Sequence, residues 1–69
     1  MHPKRVDVPM LVNGDRVRWS LDDPIVTILK VKADREGYDV LYQHNGSEPR
    51  WRGFDEGDQV YLVATGAGS

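Results

Sequence analysis

Residues 37–53 read GYDVLYQHNGSEPRWRG, and this stretch decides the fold. It predicts a β-hairpin, because Asn45-Gly46 is a preferred two-residue turn and stands between two runs of alternating apolar side chains. A two-residue turn pairs His44 with Ser47, and counting outward from that pair places large apolar residues on one face. We predict that this face lies in the core, with the residues Tyr38, Val40, Tyr42 and Trp51.

The preceding strand can be aligned to the hairpin in the same way. A four-residue loop at 34–37 gives the pairs Ala33–Tyr38, Val31–Val40 and Leu29–Tyr42. A three-residue loop would set two lysines beside Val40, and a slip of one residue exchanges the two faces of a strand, so the four-residue loop is preferred. The opposite face then collects Lys30, Lys32, Asp39, Leu41, Arg50 and Arg52, with Val26 and Ile28 on the same side.

Turn signals along the rest of the chain indicate an all-β domain. They recur about every ten residues, as in small barrels and sandwiches, and no segment has helical periodicity over three turns. The predicted strands cover residues 15–19, 24–33, 38–44, 48–53 and 59–63. We expect an irregular N-terminal arm at 1–9, a single five-stranded barrel at 10–63 and a flexible tail at 64–69.

Length and composition narrow the function classes. Sixty-nine residues form one domain with a small core and leave no room for a cleft between two domains. A net charge of −2 lacks the excess of basic residues that drives non-specific nucleic-acid binding. The chain has no cysteine and no apolar run long enough for a signal peptide or a membrane span, so we expect a cytoplasmic protein without membrane association.

The residues Gly14-Asp15-Arg16-Val17-Arg18-Trp19, a long second strand, Tyr38-Asp39-Val40-Leu41-Tyr42 and Asn45-Gly46 together resemble the Tudor family of SH3-like barrels. The resemblance covers about residues 12 to 63 and implies a five-stranded SH3-like barrel. Tudor domains bind methylated Lys or Arg in a cage of aromatic side chains at one end of the barrel. By position, the resemblance implies that Trp19, Tyr42 and Asn45 contribute to such a site; the structural alternative is that both rings close the core.

A second resemblance concerns an enzyme. Gly14 to Arg18, Glu36 to Tyr38 and Gln59 to Tyr61 are similar to segments of the type II dihydrofolate reductases, which are SH3-like barrels that assemble as tetramers around one pore. The resemblance implies that Gln59 and Tyr61 would line that pore. The enzyme alternative therefore requires a homo-oligomer.

From these observations we predict a non-catalytic binding module for a protein or peptide partner. One candidate surface consists of the loops around Trp19, Tyr42 and Asn45. The other is a basic stripe on the outer face, formed by Lys30, Lys32, Arg50 and Arg52. The alternative for this stripe is an ordinary solvated surface without a ligand. Nucleic-acid binding is a further alternative, based on the basic and aromatic residues 50–52. His2 and His44 are too few for a histidine metal site, so we expect neither a metal nor another cofactor.

Overall fold

A computed structural model describes residues 4–66 and contains six strands and one short 3-10 helix. The all-β prediction is confirmed, because the described residues contain no α-helix, and no helix among them could cross a membrane. The 3-10 helix is Val8–Met10. The strands are β1 (Lys4–Asp7), β2 (Arg16–Arg18), β3 (Val26–Ala33), β4 (Gly37–Gln43), β5 (Arg50–Asp55) and β6 (Gln59–Ala64).

The six strands form one antiparallel sheet in the order β1-β6-β2-β3-β4-β5. Strands β2 to β5 follow one another as a meander, and β6 then returns to pair with β2 on the other side. Within residues 4–66, β1 and β5 each have one strand neighbour, so they are the two edges of this open sheet. The prediction of five strands therefore needs a correction, since the sheet has six.

The additional strand lies in the segment that was predicted to be an irregular arm. Strand β1 pairs with β6 from Lys4↔Leu62 to Asp7↔Gln59, and the Gln59 Nε2 group donates a hydrogen bond of 2.8 Å to Asp7 Oδ1. The mixed charges of this segment and Pro9 after it predicted irregular structure, but pairing with the distant strand β6 overrides these local signals. Residues 1–3 of the predicted arm and 67–69 of the predicted tail lie outside the described residues.

The predicted pairing of β3 with β4 is confirmed near the loop and wrong farther away. Ala33 pairs with Tyr38 and Val31 with Val40, as the four-residue loop requires. Beyond Val31 the register shifts at Leu29, so that Tyr42 faces Ile28 instead of Leu29. This irregularity turns two apolar residues into the core rather than onto the opposite face: Val26 and Ile28 are both buried.

The turn between β4 and β5 forms as predicted, but the strand that follows is shifted by one residue. Asn45 and Gly46 both have positive φ, and the Ser47 amide donates to the His44 carbonyl at 2.8 Å. Pairing resumes only at Arg50, after Pro49, which has no amide hydrogen to donate.

This shift reverses the predicted faces of β5. Trp51 pairs with Leu41, whereas Arg52 pairs with Val40. The assignment of Trp51 to the core is therefore wrong: 53% of its surface is exposed. An intervening residue moves every later side chain of a strand to the other face, because side chains alternate with a period of two.

The core consists of seven apolar residues from all parts of the described chain, namely Val8, Leu11, Val17, Val26, Ile28, Val40 and Val60. Half-buried rings pack against this cluster, among them Trp19, Tyr42 and Phe54. Because the aliphatic residues fill the centre, the rings lie at its margin, where one side of each can meet solvent or a ligand.

Asp15 connects the beginning of β2 with the end of the described chain. It is buried, and its carboxylate accepts hydrogen bonds from the Val12 amide at 3.0 Å and from the Gly66 amide at 2.7 Å. Gly14 and Gly66 lie in close contact at this point, where a Cβ on Gly66 would approach the Gly14 backbone to 2.2 Å. The Gly-Asp pair at the start of the first predicted strand thus has a packing role.

Candidate functional site

Three aromatic rings and one guanidinium form a cluster on the inner face of the sheet. The rings of Trp19 and Tyr42 meet edge to face with centroids 5.1 Å apart, and Trp19 and Phe54 are tilted at 5.2 Å. The Arg52 guanidinium carbon lies 5.2 Å from the Trp19 centroid and 5.3 Å from the Phe54 centroid. These separations suit aromatic pairing and cation–π attraction.

The sheet register produces this cluster. Tyr42 is on the inner face of β4, two residues beyond the buried Val40. Arg52 and Phe54 share that face of β5 because they pair with Val40 and Tyr38. Trp19 directly follows β2 and reaches the cluster from the other side of β3.

A cavity of about 300 Å³ opens beside the cluster, and we call it the Trp19 cavity. One part of its wall is apolar and aromatic, consisting of Trp19, Pro24, Val26 and Tyr42. The other part is polar and comes from the β4–β5 connection and the start of β5, with His44, Ser47, Glu48 and Arg50. The cavity therefore offers ring faces for an apolar group and one charge of each sign for polar contacts.

A second cavity of about 310 Å³, the Asn45 cavity, lies next to the first. Its wall is mainly polar and includes Arg16, Thr27, Gln43 and Asn45. His44 belongs to both walls and so marks the border between the cavities. Of the three residues predicted by resemblance, the fold thus brings Trp19 and Tyr42 together and places Asn45 in the neighbouring cavity.

The predicted basic stripe does not lie on one face. Lys30 and Lys32 pair with Leu41 and Asp39 on the outer face of the sheet. Arg50 and Arg52 pair with Tyr42 and Val40 on the inner face. The one-residue shift after Pro49 separates the two pairs, and it moves both arginines to the aromatic cluster and the Trp19 cavity.

Several residues of this region were not predicted as site residues from the sequence, among them Phe54, Pro24 and Glu48. Phe54 was assigned to no site, although it contacts Trp19, and Pro24 and Glu48 were predicted only as the first residues of two strands. A signal for Phe54 exists, since Arg52 and Phe54 alternate with Trp51 and must share a face. Pro24 and Glu48 carry no such signal, because loop residues meet only in the folded chain.

The two residues that the resemblance to type II dihydrofolate reductases would place in a pore have neighbours within the sheet. Gln59 donates its amide to Asp7, and Tyr61 stands between Arg5 and Arg18 in the sheet. No group of three potential metal-ligating side chains occurs within residues 4–66. The type II dihydrofolate reductase alternative stays a hypothesis. Compared with protein-family models, with curated proteins and with solved structures, the chain has no match.

Proposed function

We propose that this chain is a small non-catalytic binding module that takes up an extended peptide segment of a protein partner in the Trp19 cavity. The observation that carries the proposal is the edge-to-face pair of Trp19 and Tyr42 beside a cavity bordered by Glu48 and Arg50. Aromatic walls supply contact area, and a few placed polar groups supply orientation, which is the usual composition of a ligand pocket.

We further propose that the fold is an SH3-like barrel of the Tudor type. Support comes from the meander β2 to β5 with β6 returning to pair with β2, which is the connectivity that such a barrel needs. The Trp19 cavity lies between the β2–β3 loop and the β4–β5 connection, at one end of the sheet. This is the region where the Tudor resemblance places a ligand.

The size and chemistry of the cavity limit the kinds of ligand that it can bind. About 300 Å³ is at the lower limit of small-molecule pockets, which run from about 300 to 1,000 Å³, and accommodates one or two side chains. Because Arg52 already lies over one face of Trp19, an incoming cation would meet a resident positive charge. A neutral apolar side chain, proline included, fits better, since aromatic-lined grooves receive extended Pro-containing segments.

Selection from a random peptide library displayed on phage tests this proposal. Enriched peptides should bind the wild type and bind a variant with both Glu48→Ala and Arg50→Ala at least about tenfold more weakly, since truncating interface anchors costs about 1–2 kcal/mol. A matched control with Arg35→Ala and Glu36→Ala removes the same charges from the exposed β3–β4 loop and should bind like the wild type. Failure to enrich any peptide, or equal binding by both variants, would contradict the proposal.

A second candidate function, binding of single-stranded nucleic acid, is favoured by the exposed Trp51. Lys30, Leu41 and Trp51 form one row across three strands of the outer face, so a cation lies two strands away from a free ring. Stacking on such a ring is worth about 1–3 kcal/mol per base. In a Trp19→Phe variant, an oligothymidylate should quench the Trp51 fluorescence in a salt-dependent way; unchanged emission at low salt removes this candidate.

A further inference from the structure

Strand β5 presents one free edge, and its side chains are distributed unusually along it. It ends the sheet, so half of its backbone groups have no strand neighbour in the part of the chain that the structure describes. Proteins commonly protect such edges with lysine, proline, bulges or a covering segment. Within Arg50–Asp55 there is neither lysine nor proline, and Trp51 is more than half exposed.

The charges of this edge are separated along the strand. Arg50 and Arg52 carry positive charge at its beginning, whereas Asp55 and Glu56 carry negative charge at its end. Two antiparallel copies of such a strand bring the basic half of one opposite the acidic half of the other. The edge is therefore complementary to itself, which is the condition for a two-fold symmetric contact.

Symmetry restricts the register of this contact. A two-fold axis that relates two antiparallel strands passes between the two copies of one residue, which face each other. Each possible register can therefore be named by this central residue. Centring on Arg52 sets two guanidinium groups directly opposite each other, which is unfavourable. Centring on Phe54 overlaps only residues 53–55 of the strand. Centring on Gly53 overlaps residues 51–55 and sets no like charges opposite each other.

The Gly53-centred register also gives the charged and aromatic side chains favourable partners. It places Arg50 opposite Glu56 of the second copy and Arg52 opposite the ring of Phe54 of the second copy. Gly53 has no side chain at the axis, and the nearest atom to a Cβ built there is Asp39 Oδ1 at 3.6 Å. The outer face is therefore open at the axis, between the two Trp51 rings. The Asp55 amide donates to Asp58 Oδ2 at 2.9 Å, and the Asp55 carbonyl accepts from the Asp58 amide at 3.1 Å. Because both backbone groups of Asp55 are engaged, this end of the contact depends on side chains.

We propose that a second copy of this chain pairs with β5 in the Gly53-centred antiparallel register and extends the sheet across the two-fold axis. The contact is one strand wide, whereas stable interfaces bury about 1,200–2,000 Å². The dimer is accordingly weak, with a dissociation constant of roughly tens to hundreds of micromolar.

Sedimentation equilibrium from about 10 μM to about 1 mM protein tests this proposal with a charge swap. Glu56→Arg sets two positive charges opposite each other at both ends and should raise the dissociation constant roughly tenfold, and Arg50→Glu should do the same. The double variant Arg50→Glu with Glu56→Arg restores opposite charges and should recover dimerisation. Glu36→Arg, an equal charge change in the β3–β4 loop, should leave it unchanged.

A second measurement keeps the register falsifiable. In a mixed sample of labelled and unlabelled protein, isotope-filtered nuclear Overhauser effects should connect Arg52 of one copy with Phe54 of the other. A monomer over the whole concentration range, or failure of the double variant to recover, overturns the proposal. Glu56 lies outside the lining of the Trp19 cavity, so peptide binding by Glu56→Arg distinguishes failure here from failure of the proposed function.

Discussion

The two tryptophans of this chain have similar neighbours in sequence and opposite surroundings in the fold. Arg18 precedes Trp19 and Arg50 precedes Trp51. Trp19 packs against the core, touches two other rings and lies under a guanidinium. Trp51 is on the outer face beside Leu41, with 53% of its surface exposed.

The difference shows that the face of a strand residue is decided by register and not by residue type. A large aromatic residue in a strand suggests burial, yet Trp51 occupies an outward position because pairing resumes one residue later than the turn alone would dictate. The same shift carries Arg52 inward, where its guanidinium covers the inner rings. The shift of one residue thus exposes the Trp51 ring and brings the Arg52 charge to the inner face.

The largest expected effect is that of Trp19→Ala. Deleting this half-buried ring removes its contacts with Tyr42 and Phe54 and should lower the free energy of unfolding by about 2–4 kcal/mol. Urea denaturation followed by circular dichroism measures the loss, with Trp51→Ala as the matched control. Equal losses for the two variants would contradict the distinction between the tryptophans.

A smaller effect is expected for Arg52→Ala. Removal of the guanidinium over Trp19 and Phe54 should lower the free energy of unfolding by about 1 kcal/mol, since cation–π contacts at exposed sites are worth about 0.5–1 kcal/mol each. Arg50→Ala is the control, because it removes the same charge two residues away. The same urea experiment compares them, and a loss no greater for Arg52→Ala than for Arg50→Ala would argue against the stacked guanidinium.

The smallest effect is expected for Trp51→Ala, within about 0.5 kcal/mol of the parent, as is usual for exposed positions. Fluorescence sharpens the comparison further. Acrylamide should quench the emission of Trp51 in a Trp19→Phe variant more steeply than that of Trp19 in a Trp51→Phe variant. A steeper response of Trp19, or destabilisation of several kcal/mol by Trp51→Ala, would place Trp51 in the core.

Local chemistry made much of the sheet predictable. The Asn45-Gly46 turn follows from the tolerance of these residues for positive φ, and it forms with the expected hydrogen bond. The pairs Ala33–Tyr38 and Val31–Val40 follow from alternation next to a short loop. Errors accumulate with distance from the turns, at Leu29 and after Pro49, because each inserted residue changes the register of all that follow.

The candidate site was predictable only in part for the same reason. Trp19 and Tyr42 were proposed by resemblance, and the fold brings them together. Pro24 and Glu48 join them at the cavity through loops whose course the sequence does not specify, and Arg50 joins them through the shifted register of β5. Asn45, although it was grouped with the two rings, lies in the neighbouring cavity.

By itself the sequence determined an all-β chain, its turns and the alignment of residues next to those turns. These features depend on contacts between residues close along the chain. Only the tertiary structure decided that residues 4–7 are a strand, that Trp51 faces outward and that Arg50 and Arg52 lie on the inner face. These depend on pairing between distant segments and on single inserted residues, whose free-energy consequences are fixed only when the whole sheet is assembled.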